Sequence, residues 1–196
     1  MVIWGTTGMI VEAVRRYYVE RWGEPSKERR FSDSEGNGAS VLKWRKDSTE
    51  EGVAIYATLG ASERPLESGN PKHRLEVFLG LEPEKDDIME HLALAATYPT
   101  LARTSIDHGD TIRFQEGLWQ GSPMSVFLLV QGIGEVLPPL ALQDGLHVDF
   151  LQAVPVFDYE LRFKKSYGIS ALVERWRQTG APFWNPDRRP ESGRWP

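Results

Sequence analysis

The strongest constraint on this chain is the order in which two periodicities follow one another. Residues 52–59 (GVAIYATL) and 73–81 (HRLEVFLGL) are short runs of β-branched and large apolar side chains, which favour a pleated, half-buried backbone. Between them, residues 60–71 hold two prolines and two glycines, so two strands joined by a long loop follow. A helical period comes before them, over residues 9–22, where Val11, Val14, Tyr18 and Trp22 fall on one face. Thr6 or Thr7 supplies its start, and Gly23 with Pro25 its stop.

A second helix is predicted over residues 84–98, with Ile88, Leu92, Ala95 and Ala96 on one face, Asp86, Asp87 and Glu90 near the positive end of its dipole, and Pro99 as its terminator. The Ser, Asp, Gly and Asn cluster at 32–40 reads as a turn followed by a half-buried strand at 41–46, in which Leu42 and Trp44 alternate with Lys43 and Arg45, and together they suggest the first hairpin. Strand candidates recur at 110–114, 126–131 and 147–154, and helical segments at 158–165 and 169–178, the last ending at Gly180. Strands and helices are thus mixed without strict alternation. The pattern predicts an α+β fold: a mixed, mostly antiparallel sheet packed with helices in a single domain over residues 1–180, followed by a Pro/Arg-rich tail at 181–196.

The chain has no cysteine, which excludes thiolate metal sites, thiol nucleophiles and a disulfide framework and agrees with a reducing, cytoplasmic setting. No window approaches the length of a membrane span, and the N-terminus lacks the pattern of a signal peptide. The formal net charge of −5 argues against a general nucleic-acid binder. Its distribution is uneven: residues 50–158 carry 17 of the 28 acids but six of the 23 bases. Glu82, Glu84, Asp86, Asp87 and Glu90 form the densest part. That segment is the candidate protein-binding surface, because a negative patch speeds encounter with a basic partner and disfavours wrong ones.

Candidate chemistry is sparse. Asp87 and His91 lie four apart on the predicted helix, the spacing of a carboxylate-imidazole or metal pair, but no HExxH pattern or third ligand accompanies them. Asp107, His108 and Asp110 surround Gly109, and His147 lies between Asp144 and Asp149. These have acid-base residue types, yet loop polarity and a strand-face hydrogen bond between His147 and Asp149 are the plainer readings. Ser122 and Ser125 lack a nucleophile elbow, the Gly132-Ile133-Gly134 run lacks a third glycine, and no phosphate loop exists. Leu137-Pro138-Pro139-Leu140 has the composition of a polyproline II face for a partner, but two adjacent prolines between strands more often just stiffen a loop. No catalytic, cofactor or metal residue is therefore assigned. Glu76, between Leu75 and Val77 in a strand, is expected to be partly buried, with Arg188 of the tail as a bidentate structural partner that docks the tail on the sheet.

Several phrases together resemble the suppressor of fused family: IYATLGAS at 55–62, RLEVFL at 74–79, AATYP at 95–99 and HGDTI at 108–112. FLQAVP at 150–155 with Glu160 and Leu161 after it, and PDRR at 186–189, complete the set. None is a catalytic signature, so the resemblance lies in their order and spacing over about residues 10–190. It implies an α+β domain that binds proteins and is not an enzyme. Bacterial single-domain relatives resemble immunity proteins that neutralise a toxin, often a nuclease, whose own nucleic-acid surface must be positive. Two-domain animal relatives resemble regulators that sequester a transcription factor, and this chain is too short for their two-domain clamp. A regulator of that kind, or a metal-dependent hydrolase built on the Asp and His clusters, is the alternative.

Overall fold

A computed structural model describes residues 6–32, 38–66, 70–132 and 136–190. The elements run α1 (Thr6–Trp22), β1 (Lys27–Ser32), β2 (Gly38–Trp44), β3 (Ala54–Leu59), β4 (His73–Leu81), α2 (Ile88–Ala102), β5 (Thr111–Arg113), β6 (Val126–Val130), β7 (Leu140–Ala141), β8 (His147–Val156), α3 (Asp158–Tyr167) and α4 (Ile169–Thr179). The strands form one sheet in the order β1-β2-β3-β4-β8-β6-β5, with β7 paired to β8. Every pairing is antiparallel except β4 with β8, which runs parallel and sets His73 against His147 and Phe78 against Gln152. This is the predicted α+β architecture in a single domain. Among the described residues, no helix is long and apolar enough to cross a membrane.

Strand alternation divides the core into layers. Leu75, Val77 and Leu79 of β4 and Leu151 and Ala153 of β8 pack beneath Ile88, Met89, Leu92 and Ala96 of α2. The alternate side chains, Ile55, Ala57, Phe78, Val148 and Phe150, meet Val14, Tyr18 and Trp22 of α1 on the opposite face. Farther along that face, Val126, Leu128, Val154 and Val156 pack against Leu161 of α3 and Leu172 and Trp176 of α4. β8 therefore contributes to all three clusters, which is why seven of its ten residues are apolar.

Helix ends follow local chemistry. Gly23 (φ 75) closes α1 by donating its N–H to the Val19 carbonyl, and Gly180 (φ 64) closes α4; both occupy left-handed backbone that suits glycine. Gly38 opens β2 where an added Cβ would fall 1.9 Å from the Phe31 carbonyl oxygen, so the close approach of β1 and β2 requires a residue without a side chain. The predicted turn at 32–40 lies partly outside the described residues, and Ile133, Gly134 and the end of the tail from residue 191 lie wholly outside them.

Three expectations are corrected in detail. α2 starts at Ile88, not residue 84, and continues through Pro99 to Ala102. Pro99 costs the helix one N–H donor near its end, while its own carbonyl still accepts the N–H groups of Arg103 and Thr104, so the last turn closes on the proline instead of stopping before it. β2 is not half-buried: it ends at Trp44, and Lys43 is as enclosed as its apolar neighbours, because α1 covers one face and the acidic segment the other. β1, with the sequence KERRFS, is the other arm of the expected hairpin, whose bounds its charged residues left unmarked. Finally, Glu76 and Arg188 are not partners, as detailed below.

Candidate functional site

The acidic segment leaves β4 at Leu81 and crosses over β3 and β2 before entering α2. Glu82 accepts a hydrogen bond from Lys46 (2.9 Å), and Lys43 reaches both Glu84 (2.6 Å) and Asp86 (2.5 Å). Lys27 of β1 also donates to Asp86 (2.6 Å), and the Tyr56 hydroxyl adds a further contact at 3.2 Å. Burial works to raise the Asp86 carboxyl, but the hydrogen bonds and charges of Lys27 and Lys43 outweigh it and hold the group at about 2. Burial likewise works to lower Lys43, and its two carboxylates reverse the effect and raise it. Glu82, Glu84 and Asp86 are thus brought together and matched by lysines. They seal the sheet beneath them.

Asp87 and Glu90 take a different position. With Arg29, His91, Glu116, Trp119, Gln120 and Ser122 they line an open cleft of about 560 Å³ between β1, the start of α2 and the loop after β5. The cleft therefore has three carboxylates against one guanidinium. His91 stands edge-on to Phe114 (4.7 Å), and its buried Nδ1 has no hydrogen-bond partner among the described residues. Asp87 makes no capping bond to α2 through its side chain.

A second cleft of about 360 Å³ shares Glu90 and continues along the same helix, lined by Arg30, Phe31, Ala93, Leu94, Thr97 and Leu101. Leu94, Tyr98 and Leu101 recur at helical spacing and are 46%, 45% and 50% exposed. The two clefts form one groove, acidic at its start and apolar along α2. Its far wall, β1, is the edge strand of the sheet and, among the described strands, pairs with β2 alone. Alternation sends Lys27 and Phe31 toward α2, while Glu28 faces away and pairs with Arg15 of α1 (2.6 Å). The groove escaped sequence reasoning because the hairpin signal at 32–40 does not say that its first arm, β1, lies beside α2.

The other sequence candidates are dispersed. His108 Nδ1 accepts the Gln131 N–H (3.0 Å), while Asp107 and Asp110 bond to backbone within their own turn. The Pro138 carbonyl accepts the Tyr17 hydroxyl (3.0 Å), tying that loop to α1. Asp149 is bonded not to His147 but to His73 across the parallel pair, Nε2 to Oδ2 at 2.7 Å. Glu76 is fully enclosed and accepts from the Thr58 hydroxyl (2.6 Å), the Ser62 hydroxyl (2.6 Å), Ser62 N–H (3.0 Å) and Gly60 N–H (2.9 Å). Burial pushes its carboxyl up, and these four bonds oppose the rise. Arg188 instead forms the expected two-toothed pair with Glu160, both contacts at 2.7 Å, and also donates to the Pro155 carbonyl at 2.8 Å. Glu76 lies in β4 on the α1 side, whereas the tail returns along α3 and the end of β8, so the two cannot meet.

Comparison with known proteins agrees with this architecture. The family model described as Suppressor of fused protein (SUFU) matches residues 35–189. A SUFU homologue from Neisseria gonorrhoeae superposes with a TM-score of 0.67 at 16% identity, covering 91% of this chain and 94% of the other. A chain of a Sufu–Fu complex gives a TM-score of 0.64 at 18% identity, with 94% and 91% covered. Drosophila Suppressor of Fused gives 0.55 at 18% identity, where 92% of this chain spans 50% of that protein. No curated protein matches the chain.

Proposed function

This chain belongs to the suppressor of fused family, and from that premise we propose that it is a non-catalytic binding domain, an immunity protein that holds and neutralises a basic toxin such as a nuclease in the groove between β1 and α2. The observation that carries the reading is the groove itself. Asp87, Glu90 and Glu116 offer carboxylates at one end, and Phe31, Ala93, Leu94 and Leu101 offer apolar area along the rest. An interface gains affinity from such apolar anchors and selects its partner by charge at the rim. A chain of similar fold occurs in a Sufu–Fu complex, which supports a protein-holding role.

Within the acidic segment the roles divide. Asp87 and Glu90 face the partner, and Glu82, Glu84 and Asp86 keep the neighbouring wall in place through their lysines. Ser122 and His91 both line the cleft, but the Ser122 hydroxyl donates to the Met124 carbonyl (2.9 Å) and not to the imidazole, which fits binding better than turnover. The absence of cysteine suits action in the reducing cytoplasm.

The test is co-expression with the product of any adjacent toxin gene. The reading expects growth to be restored by the intact chain and a complex of one copy each on size exclusion. It is abandoned if the toxin stays fully active beside an excess of folded chain.

A further inference from the structure

Independently of the partner reading, we propose that His73, His147 and Asp149 form a binding site for a divalent transition cation of the zinc type, placed where the sheet changes from antiparallel to parallel pairing. The parallel register of β4 and β8 sets His73 directly opposite His147, and strand alternation returns Asp149 to the same face two residues later. The two imidazole rings stack with centroids 4.9 Å apart and an angle of 16° between them. His73 Nε2 already lies 2.7 Å from Asp149 Oδ2. One donor atom from each of the three residues falls within 4.8 Å of the others.

That spacing is close to what a bound cation needs. Zinc sits about 2.0–2.2 Å from nitrogen and oxygen donors, which in a tetrahedral site places its ligand atoms roughly 3.3–3.6 Å apart. Small side-chain rotations close the difference, and all three side chains are part-exposed and so accessible to an ion. The side chains of His73 and Asp149 are 28% and 19% exposed, which shelters the site without sealing it. Two imidazoles with one carboxylate favour zinc, cobalt or nickel over the harder magnesium and calcium. Three protein donors leave a coordination position open. The neighbouring Lys72 does not compete, because it donates its Nζ to the Asp144 carbonyl (2.6 Å).

The position also gives the ion a consequence. β4 and β8 are joined by the long excursion through α2, β5, β6 and β7, and their parallel pairing starts at His73 and His147. A cation held there ties the two strands at the first rung of that ladder.

The experiment uses the full chain stripped with EDTA and titrated with Zn²⁺ or Co²⁺ alone. One equivalent is expected to bind, with visible Co²⁺ absorption of a site of four or five ligands and a rise in melting temperature that EDTA reverses. The chain has four histidines, so imidazole NMR signals provide a readout on the unmodified protein: Zn²⁺ shifts His73 and His147 and leaves His91 and His108 in place. Asp149→Asn is expected to weaken binding at least about tenfold and His73→Ala with His147→Ala to abolish it. Shifts confined to His91 or His108, unchanged affinity in the double variant, or no bound cation at a several-fold excess would each overturn the assignment.

Discussion

Arg188 reaches back 28 residues to clasp Glu160 through both guanidinium nitrogens at 2.7 Å, and the pair is nearly shut off from solvent. Glu160 also accepts the Trp176 indole N–H (2.8 Å) and the Phe157 backbone N–H (2.8 Å), while Arg188 lies over the Phe157 ring at 4.6 Å. One carboxylate thus joins the end of β8, α3, α4 and the tail. Removing a partner of such a pair leaves an uncompensated buried charge, so Arg188→Ala is expected to cost about 3–5 kcal/mol. Glu160→Ala should cost at least as much, because it also strands the indole and backbone donors. Urea unfolding checks both, and a loss below about 1 kcal/mol for either would show that the clasp is not structural.

Glu76 poses the opposite case, a buried carboxylate satisfied by four donors and no cation. Its raised carboxyl makes the folded state hold a proton more tightly than the unfolded chain, whose group titrates near 4.5. The sign follows: this group favours folding at low pH, and that contribution is lost as pH rises from 4.5 through the folded value. Glu76→Gln can keep the Gly60 and Ser62 donors on its carbonyl and turn its amide toward Thr58. It should therefore hold stability within about 1 kcal/mol at neutral pH and remove that pH dependence, whereas Glu76→Ala, which orphans those donors, should lose about 1–3 kcal/mol. Unfolding curves from about pH 4.5 to 7 decide it; identical pH slopes for the native chain and Glu76→Gln would refute the argument.

These two residues show what the sequence could convey. β3, β4, β6, β8 and the cores of all four helices were legible, because burial on one or both faces writes a period of two or 3.6 into the apolar residues. The burial of Glu76 and the forked grip of Arg188 were legible too, since a charge between apolar strand residues, or an arginine in a docked tail, needs a satisfier. Their partners were not. Glu160 sits at the third position of a helix, where an acid is ordinary. The turn at 32–40 announced a hairpin, but the bounds of β1 were hidden because an edge strand needs only one apolar contact, Phe31, and charges among its other residues pair across to α1 and the acidic segment. The neighbourhood of His73 was equally silent: β4 and β8 lie far apart in sequence and meet through a parallel register that no local pattern encodes.

Asp86, drawn down to about 2 by Lys27 and Lys43, carries a second pH signature. A depressed carboxyl stabilises the fold at pH values above its ordinary 3.8, and the contribution is lost as pH falls through the folded value. Asp86→Asn is expected to be less stable than the native chain at neutral pH, with the gap narrowing below about pH 4 and closing toward about pH 2. Because Lys43 is itself enclosed, Lys43→Met should destabilise less than Lys43→Ala: both remove the ammonium, but methionine refills the space of the stem. A stability gap for Asp86→Asn that stays constant throughout this acid range would contradict the ion-pair account.

The division of the acidic segment yields the sharpest prediction about binding. Asp87 and Glu90 line the open groove, whereas Glu84 and Asp86 share Lys43. Charge reversal at Asp87 and Glu90 should leave the melting temperature within a few degrees and slow association with a basic partner by about tenfold or more at low salt, with a flattened salt dependence. The same reversal at Glu84 and Asp86 sets four positive side chains against one another over β2 and should act first on stability. Leu94→Ser with Leu101→Ser, two exposed positions on α2, should leave folding intact and speed dissociation, since apolar anchors govern residence time more than encounter. Stopped-flow association and circular-dichroism melting on the three variants separate these effects. If reversal at Glu84 and Asp86 slowed association while reversal at Asp87 and Glu90 did not, the partner would lie over the lysine-paired wall and not in the groove.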